Sequence, residues 1–112
     1  IRHPRVAQTM KACIELPGYQ IFKYIENGKR HNIDSSQVNE YLKEISGESL
    51  SAKDFRTWGG TVLAGDTLYK IGQQHLELAT EKAIVQAVIT VAEHLGNTTA
   101  VSRQYYIHPG II

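Results

Sequence analysis

The chain has 112 residues, of which 42% are hydrophobic and 21% charged, and its formal net charge is +1. This length and composition predict one folded domain with a modest core and exclude a disordered tail. The longest apolar runs fall far short of the ~20 residues that a membrane-spanning helix needs, and the single cysteine cannot form an internal disulfide.

The start of the chain predicts a helix followed by a β-hairpin. Pro4 suits the first turn of a helix, and apolar residues recur at helical spacing over residues 4–15 until Pro17-Gly18 ends the run. Loose alternation on both sides of Asn27-Gly28 is typical of two short strands joined by a tight turn. Residues 1–30 carry six basic and two acidic side chains, an excess that permits contact with a polyanion.

A second helix is predicted over about residues 37–46, because its apolar side chains fall on one face and Gly47 follows it. The three residues before it, Asp34, Ser35 and Ser36, each offer an oxygen for the N-cap. Ser36 could also contact a phosphate, although N-capping already accounts for its presence.

A third helix is predicted to begin at a short capping box near residue 51. It contains Gly59-Gly60 and Gly65, and each interior glycine costs about 0.5–1 kcal/mol relative to alanine. These glycines predict close approach of another backbone or a bend, unless the helix is simply a weak one. Trp58 is expected to anchor the packing of this helix.

The clearest helix is predicted over about residues 80–95, with Thr80 as its cap and Gly96 as a left-handed C-terminal residue. Its apolar stripe predicts the core of the domain and consists of Ile84, Val88, Val91 and Leu95. After a turn, residues 100–107 form a last short helical segment, which His108-Pro109-Gly110 ends. The chain is therefore predicted to be mainly α, with one small β-hairpin.

Three places carry side chains suited to chemistry on an anion. Arg56 is predicted in the first turns of a helix, where a guanidinium adds a fork of donors to the positive helix end; a surface ion pair is the ordinary alternative. Asn97 follows a helix end, where it also suits the turn's backbone. Tyr105 and Tyr106 end the last helical segment, where a tyrosine usually serves packing.

The chain's five histidines show no paired metal-ligand spacing, so we predict no metal site and no catalytic histidine.

Four segments follow one another along the chain, and they read VNEYL at 38–42, SAKDFRTWGGTVLA at 51–64, LGNT at 95–98 and SRQYYIHP at 102–109. Together they resemble the catalytic domain of bacterial, poxvirus-like type IB DNA topoisomerases. The resemblance covers essentially the whole chain in order, and several separate motifs agree. It implies the compact helical catalytic subdomain of the type IB topoisomerase and tyrosine recombinase fold.

The resemblance implies an enzyme that nicks one strand of duplex DNA through a 3′-phosphotyrosyl intermediate, lets the duplex swivel and reseals it without ATP, metal or another cofactor. It assigns the nucleophile to Tyr106, the contact with the scissile phosphate to Arg56 and a donor to a nonbridging oxygen to Asn97. Lys53 matches an additional basic residue that is expected to contact DNA phosphate. A phenol is mostly un-ionised at neutral pH, so its attack on phosphorus needs such donors around the transition-state oxygens.

Residues 97 and 106 impose a geometric condition on this assignment. One uninterrupted helix would separate them by roughly 13 Å along its axis, too far for both to reach one phosphate. Asn97 must therefore lie at a turn, and a separate segment must bring Tyr106 back. We expect that this segment moves when DNA binds and that Tyr106 need not contact Arg56 in the absence of DNA.

Two catalytic groups of the resembled family, an arginine and a general-acid lysine on a β-hairpin, belong to sequence that would precede residue 1. The N-terminal domain that closes around DNA is expected there too, so residues 1–112 are interpreted as a single-domain fragment. Because the loss of a general acid costs ~10²–10⁴-fold in rate, the isolated fragment is expected to be nearly inactive.

Two other functions stay open. A tyrosine recombinase or integrase shares the fold and nucleophile, but usually shows His-x-x-Arg where this chain has Lys53-Asp54-Phe55-Arg56, and His in place of Asn97. A non-catalytic helical module would instead bind DNA through Lys29, Arg30 and the hairpin tip. For the topoisomerase, the resemblance further implies double-stranded DNA as the partner, no membrane, a monomeric state and a cytoplasmic location at the nucleoid.

Overall fold

The structure is a computed structural model that describes residues 2–74 and 79–112. Its elements in chain order are α1 (Pro4–Glu15), β1 (Lys23–Glu26), β2 (Lys29–Asn32), α2 (Ser35–Ser46), α3 (Ala52–Gln74), α4 (Thr80–Leu95) and α5 (Thr99–Tyr105). The described part of the chain is thus mainly helical with one two-stranded antiparallel sheet, which confirms the predicted fold class. None of its helices combines the length and apolarity needed to span a membrane. His75, for which no catalytic role was expected, lies outside the described residues.

The chain divides into two compact units, Ile1–Ser51 and Ala52–Ile112. In the first unit, β1 and β2 pair with Glu26 opposite Lys29, and the turn between them has positive φ at both Asn27 and Gly28. Two successive left-handed residues produce the tight turn that matches the twist of a hairpin. The predicted hairpin and its tip are confirmed.

The start of α2 differs from the prediction in one detail. Asp34 is the N-cap: its side chain accepts from the backbone N–H of Gln37, and the Gln37 side chain accepts from the backbone N–H of Asp34. The Ser36 hydroxyl donates to the Asp34 carboxylate at 2.6 Å. These bonds, from the Ser36 hydroxyl first and the Gln37 amide second, hold the pKa of Asp34 below its usual value. Ser36 therefore supports the cap and does not form it.

The second unit is built on α4, against which both α3 and α5 pack. Its buried core comprises Ala64, Val88, Val91 and Ile107, with Leu63, Ile84, Leu95 and Ile112 packed partly against it. The predicted apolar stripe of α4 thus forms the core of this unit. The predicted cap is wrong, because Ala79 occupies the N-cap position and provides no side-chain hydrogen bond, while Thr80 is already helical. A threonine one position too late cannot accept from the first free N–H groups.

The long helix α3 continues through its interior glycines for 23 residues. A Cβ on Gly60 would lie 2.5 Å from the Tyr106 carbonyl oxygen, whereas nothing lies within 4 Å of a Cβ on Gly59 or Gly65. The close backbone approach expected for these glycines is therefore confirmed at Gly60 alone. Trp58 is 73% exposed, so the expectation that it anchors the packing of this helix is wrong.

The burial of Val91 gives a stability prediction. Val91 is fully buried, so Val91→Ala should lower the free energy of unfolding by about 2 kcal/mol through lost apolar burial and a residual cavity. Val85→Ala on the same helix is the matched control, because Val85 is 53% exposed and the gain in helix propensity is the same. Urea unfolding of both variants measures the difference. Equal losses at the two positions would contradict this description of the core.

Candidate active site

Arg56 lies in the first turns of α3 and reaches the C-terminal end of α4. Its Nη2 donates to the Leu95 carbonyl oxygen at 2.8 Å, and its Cζ lies 5.1 Å from the centroid of the Tyr106 ring. The last carbonyls of a helix lack amide donors and carry partial negative charge, so a guanidinium is favourable there. A guanidinium has five N–H donors in a planar fork, so this single bond leaves most of them available for an anion.

Asn97 occupies the turn between α4 and α5. Gly96 adopts the left-handed conformation with φ 69° and ψ 34°, and the Asn97 backbone N–H donates to the Ala92 carbonyl at 3.0 Å. This bond closes α4 as a Schellman-type C-cap, which glycine permits because it has no Cβ. The Thr98 hydroxyl then accepts from the Val101 N–H and caps α5. The predicted turn between Asn97 and the segment that carries Tyr106 is confirmed.

The side chain of Asn97 has an unusual environment. Its Nδ2 atom is buried and has no hydrogen-bond partner among the described residues, and the same is true of the Ser102 hydroxyl. A buried donor without an acceptor costs about 1–3 kcal/mol. Because Asn97 lies two residues beyond Leu95, whose carbonyl binds Arg56, this free donor belongs to the same end of α4 as the guanidinium.

Tyr106 follows directly after α5 and is partly buried. Its backbone has φ −125° and ψ −1°, and its N–H still donates to the Ser102 carbonyl at 3.0 Å. The Arg56 guanidinium faces its ring, a geometry in which the cation is attracted to the negative face of the π system. This contact counts against the expectation that Tyr106 need not touch Arg56 when DNA is absent.

The other two predicted site residues are placed differently. Lys53 lies three residues before Arg56 on α3, and its Nζ is 5.2 Å from the centroid of the Tyr105 ring. Two cations of α3 therefore face two successive tyrosines. Ser36 belongs to the first unit, where its hydroxyl is bound to Asp34. The structure thus brings Arg56 together with Tyr106 and the turn of Asn97, and pairs Lys53 with Tyr105.

Sequence reasoning missed two threonines of α3 that contact the segment around Tyr106. The Thr57 hydroxyl donates to the Tyr105 carbonyl at 3.3 Å, and the His108 N–H donates to the Thr61 hydroxyl at 3.0 Å. The only signal in the sequence was their spacing of four residues beside Gly60, which puts them on one face of the helix. This spacing indicates that one face of the helix carries small residues, but it does not indicate which segment packs on that face.

Arg56, Asn97 and Tyr106 carry groups of the types that suit a phosphate diester. A guanidinium and a free amide donor stabilise negative charge on nonbridging oxygens, and a phenol supplies a nucleophilic oxygen. Within residues 2–74 and 79–112, no three side chains of the types that usually ligate metals lie close enough to hold an ion. Arg56 and Asn97 carry hydrogen-bond donors for an anion, and Tyr106 carries a hydroxyl of the type that can act as a nucleophile.

Comparison with known proteins identifies the family of the chain. The family model described as "Eukaryotic DNA topoisomerase I, catalytic core" matches residues 2–109. The protein named "DNA topoisomerase 1B" of Acanthamoeba polyphaga mimivirus is 27% identical over 117 aligned residues, which cover 96% of this chain and 34% of the viral protein. The chain thus spans about a third of the length of this relative.

Proposed function

The chain belongs to the family of the eukaryotic DNA topoisomerase I catalytic core, and on that premise we propose that it is the part of a type IB DNA topoisomerase that attacks and reseals one DNA strand. The full-length enzyme would relax supercoiled duplex DNA by transient cleavage of a single strand. In more detail, we propose that this enzyme is of the bacterial, poxvirus-like type. It would act as a monomer in the cytoplasm, at the nucleoid. Residues 1–112 would form one part of its catalytic domain.

In the proposed reaction, the Tyr106 oxygen bonds to the scissile phosphorus as the phenol's proton passes to solvent, and the bond from phosphorus to the 5′-oxygen breaks. The 5′-oxygen takes up a proton and becomes a hydroxyl, while the 3′ end remains on the tyrosine. Resealing is the reverse displacement. Because the phosphotyrosyl bond conserves the phosphodiester energy, the cycle needs neither ATP nor metal. The resemblance to type IB topoisomerases implies a lysine of the full-length enzyme as the proton donor.

The other site residues have distinct roles in this proposal. Arg56 and Asn97 donate to the nonbridging oxygens, where negative charge grows in the transition state. Lys53 binds a neighbouring DNA phosphate after leaving the Tyr105 ring, and the Ser36 hydroxyl contacts the backbone from the first unit. The buried Asn97 Nδ2 must become accessible to a phosphate oxygen. We therefore propose that DNA binding turns the Arg56 and Tyr106 side chains apart, while their backbones stay in place, and admits the phosphate between them.

One observation supports catalysis over simple binding more than any other: the Arg56 guanidinium faces the Tyr106 ring at the helix end that carries Asn97. A docking module needs exposed cations, but it has no need for a phenol beside a guanidinium. The same geometry would serve a tyrosine recombinase. Asn97, where recombinases usually have histidine, favours the topoisomerase.

Plasmid relaxation tests the proposal. Supercoiled plasmid is incubated with the full-length enzyme in EDTA and without ATP, and the products are separated on an agarose gel. We expect a ladder of relaxed topoisomers and no recombinants from a plasmid that carries repeated sites. The 112-residue polypeptide alone serves as the comparison and should leave the plasmid supercoiled. Recombination without relaxation would favour the integrase, and binding without any covalent adduct would favour the docking module.

A further inference from the structure

We infer that α3 positions Tyr106 for reaction through Thr57, Gly60 and Thr61, three residues to which the sequence comparison assigned no role in the site. The inference rests on the proposed function of Tyr106 as the nucleophile. These three are positioning residues, because each meets the backbone of the segment, the threonines through hydrogen bonds and Gly60 through close approach. Together with the tyrosine they form what we name the α3 clamp, consisting of Thr57, Gly60, Thr61 and residues 105–108.

The clamp satisfies backbone groups that the end of α5 leaves without partners. The last four carbonyls of a helix have no amide donor four residues further on. Thr57 provides a donor for the Tyr105 carbonyl, and Thr61 provides an acceptor for the His108 N–H. These bonds bracket Tyr106 on both sides. They fix the point at which the helix stops and the direction in which the chain leaves it.

Gly60 sets the distance between α3 and the Tyr106 peptide. A Cβ at this position would lie 2.5 Å from the Tyr106 carbonyl oxygen and 3.3 Å from Cγ1 of Val91. Real Cβ atoms do not approach a backbone oxygen so closely, so a side chain here must push α3 and the segment apart. Val91 Cγ1 lies on the same side of Gly60 and is part of the buried core, so the added Cβ would press on α4 as well. Whichever element moves, the position of the Tyr106 segment relative to α3 changes.

The same face of α3 carries Arg56, four residues before Gly60 and therefore about one helical turn away. One rigid helix thus holds both the guanidinium and the backbone of the tyrosine that it faces. A shift of the segment by a fraction of a helical turn changes the separation between the two. A reacting group displaced by about 1 Å can lose ~10² in rate, so the clamp influences the rate of attack through the position of Tyr106.

The test measures the rate of covalent adduct formation in the full-length enzyme, with a DNA duplex nicked beside the cleavage site so that the cleaved strand leaves and traps the adduct. Thr57→Val keeps the shape of the side chain and removes the hydroxyl. We expect it to slow adduct formation at saturating DNA by ~10-fold, and Gly60→Ala to slow it by up to ~10²-fold. The Kd for uncleaved DNA should stay unchanged in both variants, because neither change removes a group to which the proposed function assigns a DNA contact.

Two controls separate positioning from a general loss of folding. Thr57→Ser restores the hydroxyl and should recover the wild-type rate. Gly65→Ala makes the same change on the same helix at a position where a Cβ meets nothing within 4 Å, and it should react like the wild type. The Tm of each variant is measured alongside. If Gly60→Ala fails to fold, the comparison of Thr57→Val with Thr57→Ser still tests the positioning role.

The possible failures are distinguishable. If the wild type forms an adduct and Thr57→Val forms it at the same rate, the clamp is refuted while the proposed function stands. A slow Thr57→Val that Thr57→Ser does not rescue likewise refutes a role for the hydroxyl. If the wild type forms no adduct at all, the proposed function falls and the clamp falls with it.

Discussion

Tyr106→Phe should abolish the covalent adduct with DNA and lower plasmid relaxation by the full-length enzyme at least ~10⁴-fold, as expected when a nucleophile is removed. The change deletes one oxygen and keeps the ring, so the cation–π contact with Arg56 and the packing of α5 are preserved. DNA binding, measured on uncleavable duplex, should therefore persist. Denaturing gel electrophoresis of end-labelled DNA after incubation with the protein detects the adduct directly.

Tyr105→Phe is the matched control for this prediction. Tyr105 is the adjacent residue, it carries the same phenol, and Lys53 faces its ring as Arg56 faces that of Tyr106. If Tyr106 is the nucleophile, Tyr105→Phe forms the adduct at close to the wild-type rate. If the adduct still forms in Tyr106→Phe but not in Tyr105→Phe, the nucleophile is Tyr105. If adduct formation is unchanged in both variants, the catalytic proposal is wrong.

Arg56→Ala should slow adduct formation by about 10²–10³-fold at saturating DNA, the usual cost of losing one preorganised donor to transition-state charge. The measurement is single-turnover cleavage of the same nicked duplex. Arg56→Lys should recover only part of this loss. An ammonium keeps the positive charge, but it lacks the planar fork that can bind Leu95 and two phosphate oxygens together.

A structural effect accompanies this substitution and has its own readout. Arg56→Ala also removes the donor to the Leu95 carbonyl at the end of α4, so a small decrease in Tm is expected. Rates are therefore measured well below the Tm of the variant, with its DNA affinity recorded in parallel. If the variant is destabilised but cleaves DNA at the wild-type rate, Arg56 only caps the end of α4 and has no role in the reaction.

Much of the fold follows from local signals in the sequence. The Asn27-Gly28 dipeptide requires a backbone that few other residues tolerate, and Gly96 ends α4 for the same reason. The N-cap residues were harder to predict than the helices, because a polar side chain near the start of a helix does not necessarily occupy the N-cap position. Asp34 took that position over Ser36, and Ala79 took it over Thr80, since the cap depends on where the backbone turns and not only on which side chains are available.

The candidate site was harder to predict than the helices. Helical spacing indicates which face of α3 is apolar or small, but not which distant segment covers it. Trp58 was therefore expected to pack and is exposed, while Thr57 and Thr61 contact a segment more than forty positions away in the chain. The contact between Arg56 and Tyr106 is likewise long-range. The resemblance could assign roles to these two residues, but only the three-dimensional structure shows that their side chains are in contact.

The buried amide of Asn97, which has no hydrogen-bond partner among the described residues, is a point of local frustration in the fold. The backbone of this turn is held by the hydrogen bond that closes α4, and a buried donor without an acceptor costs free energy. An incoming oxygen acceptor that relieves the frustration regains that free energy. Local frustration at this turn would thus favour the binding of an oxygen acceptor there.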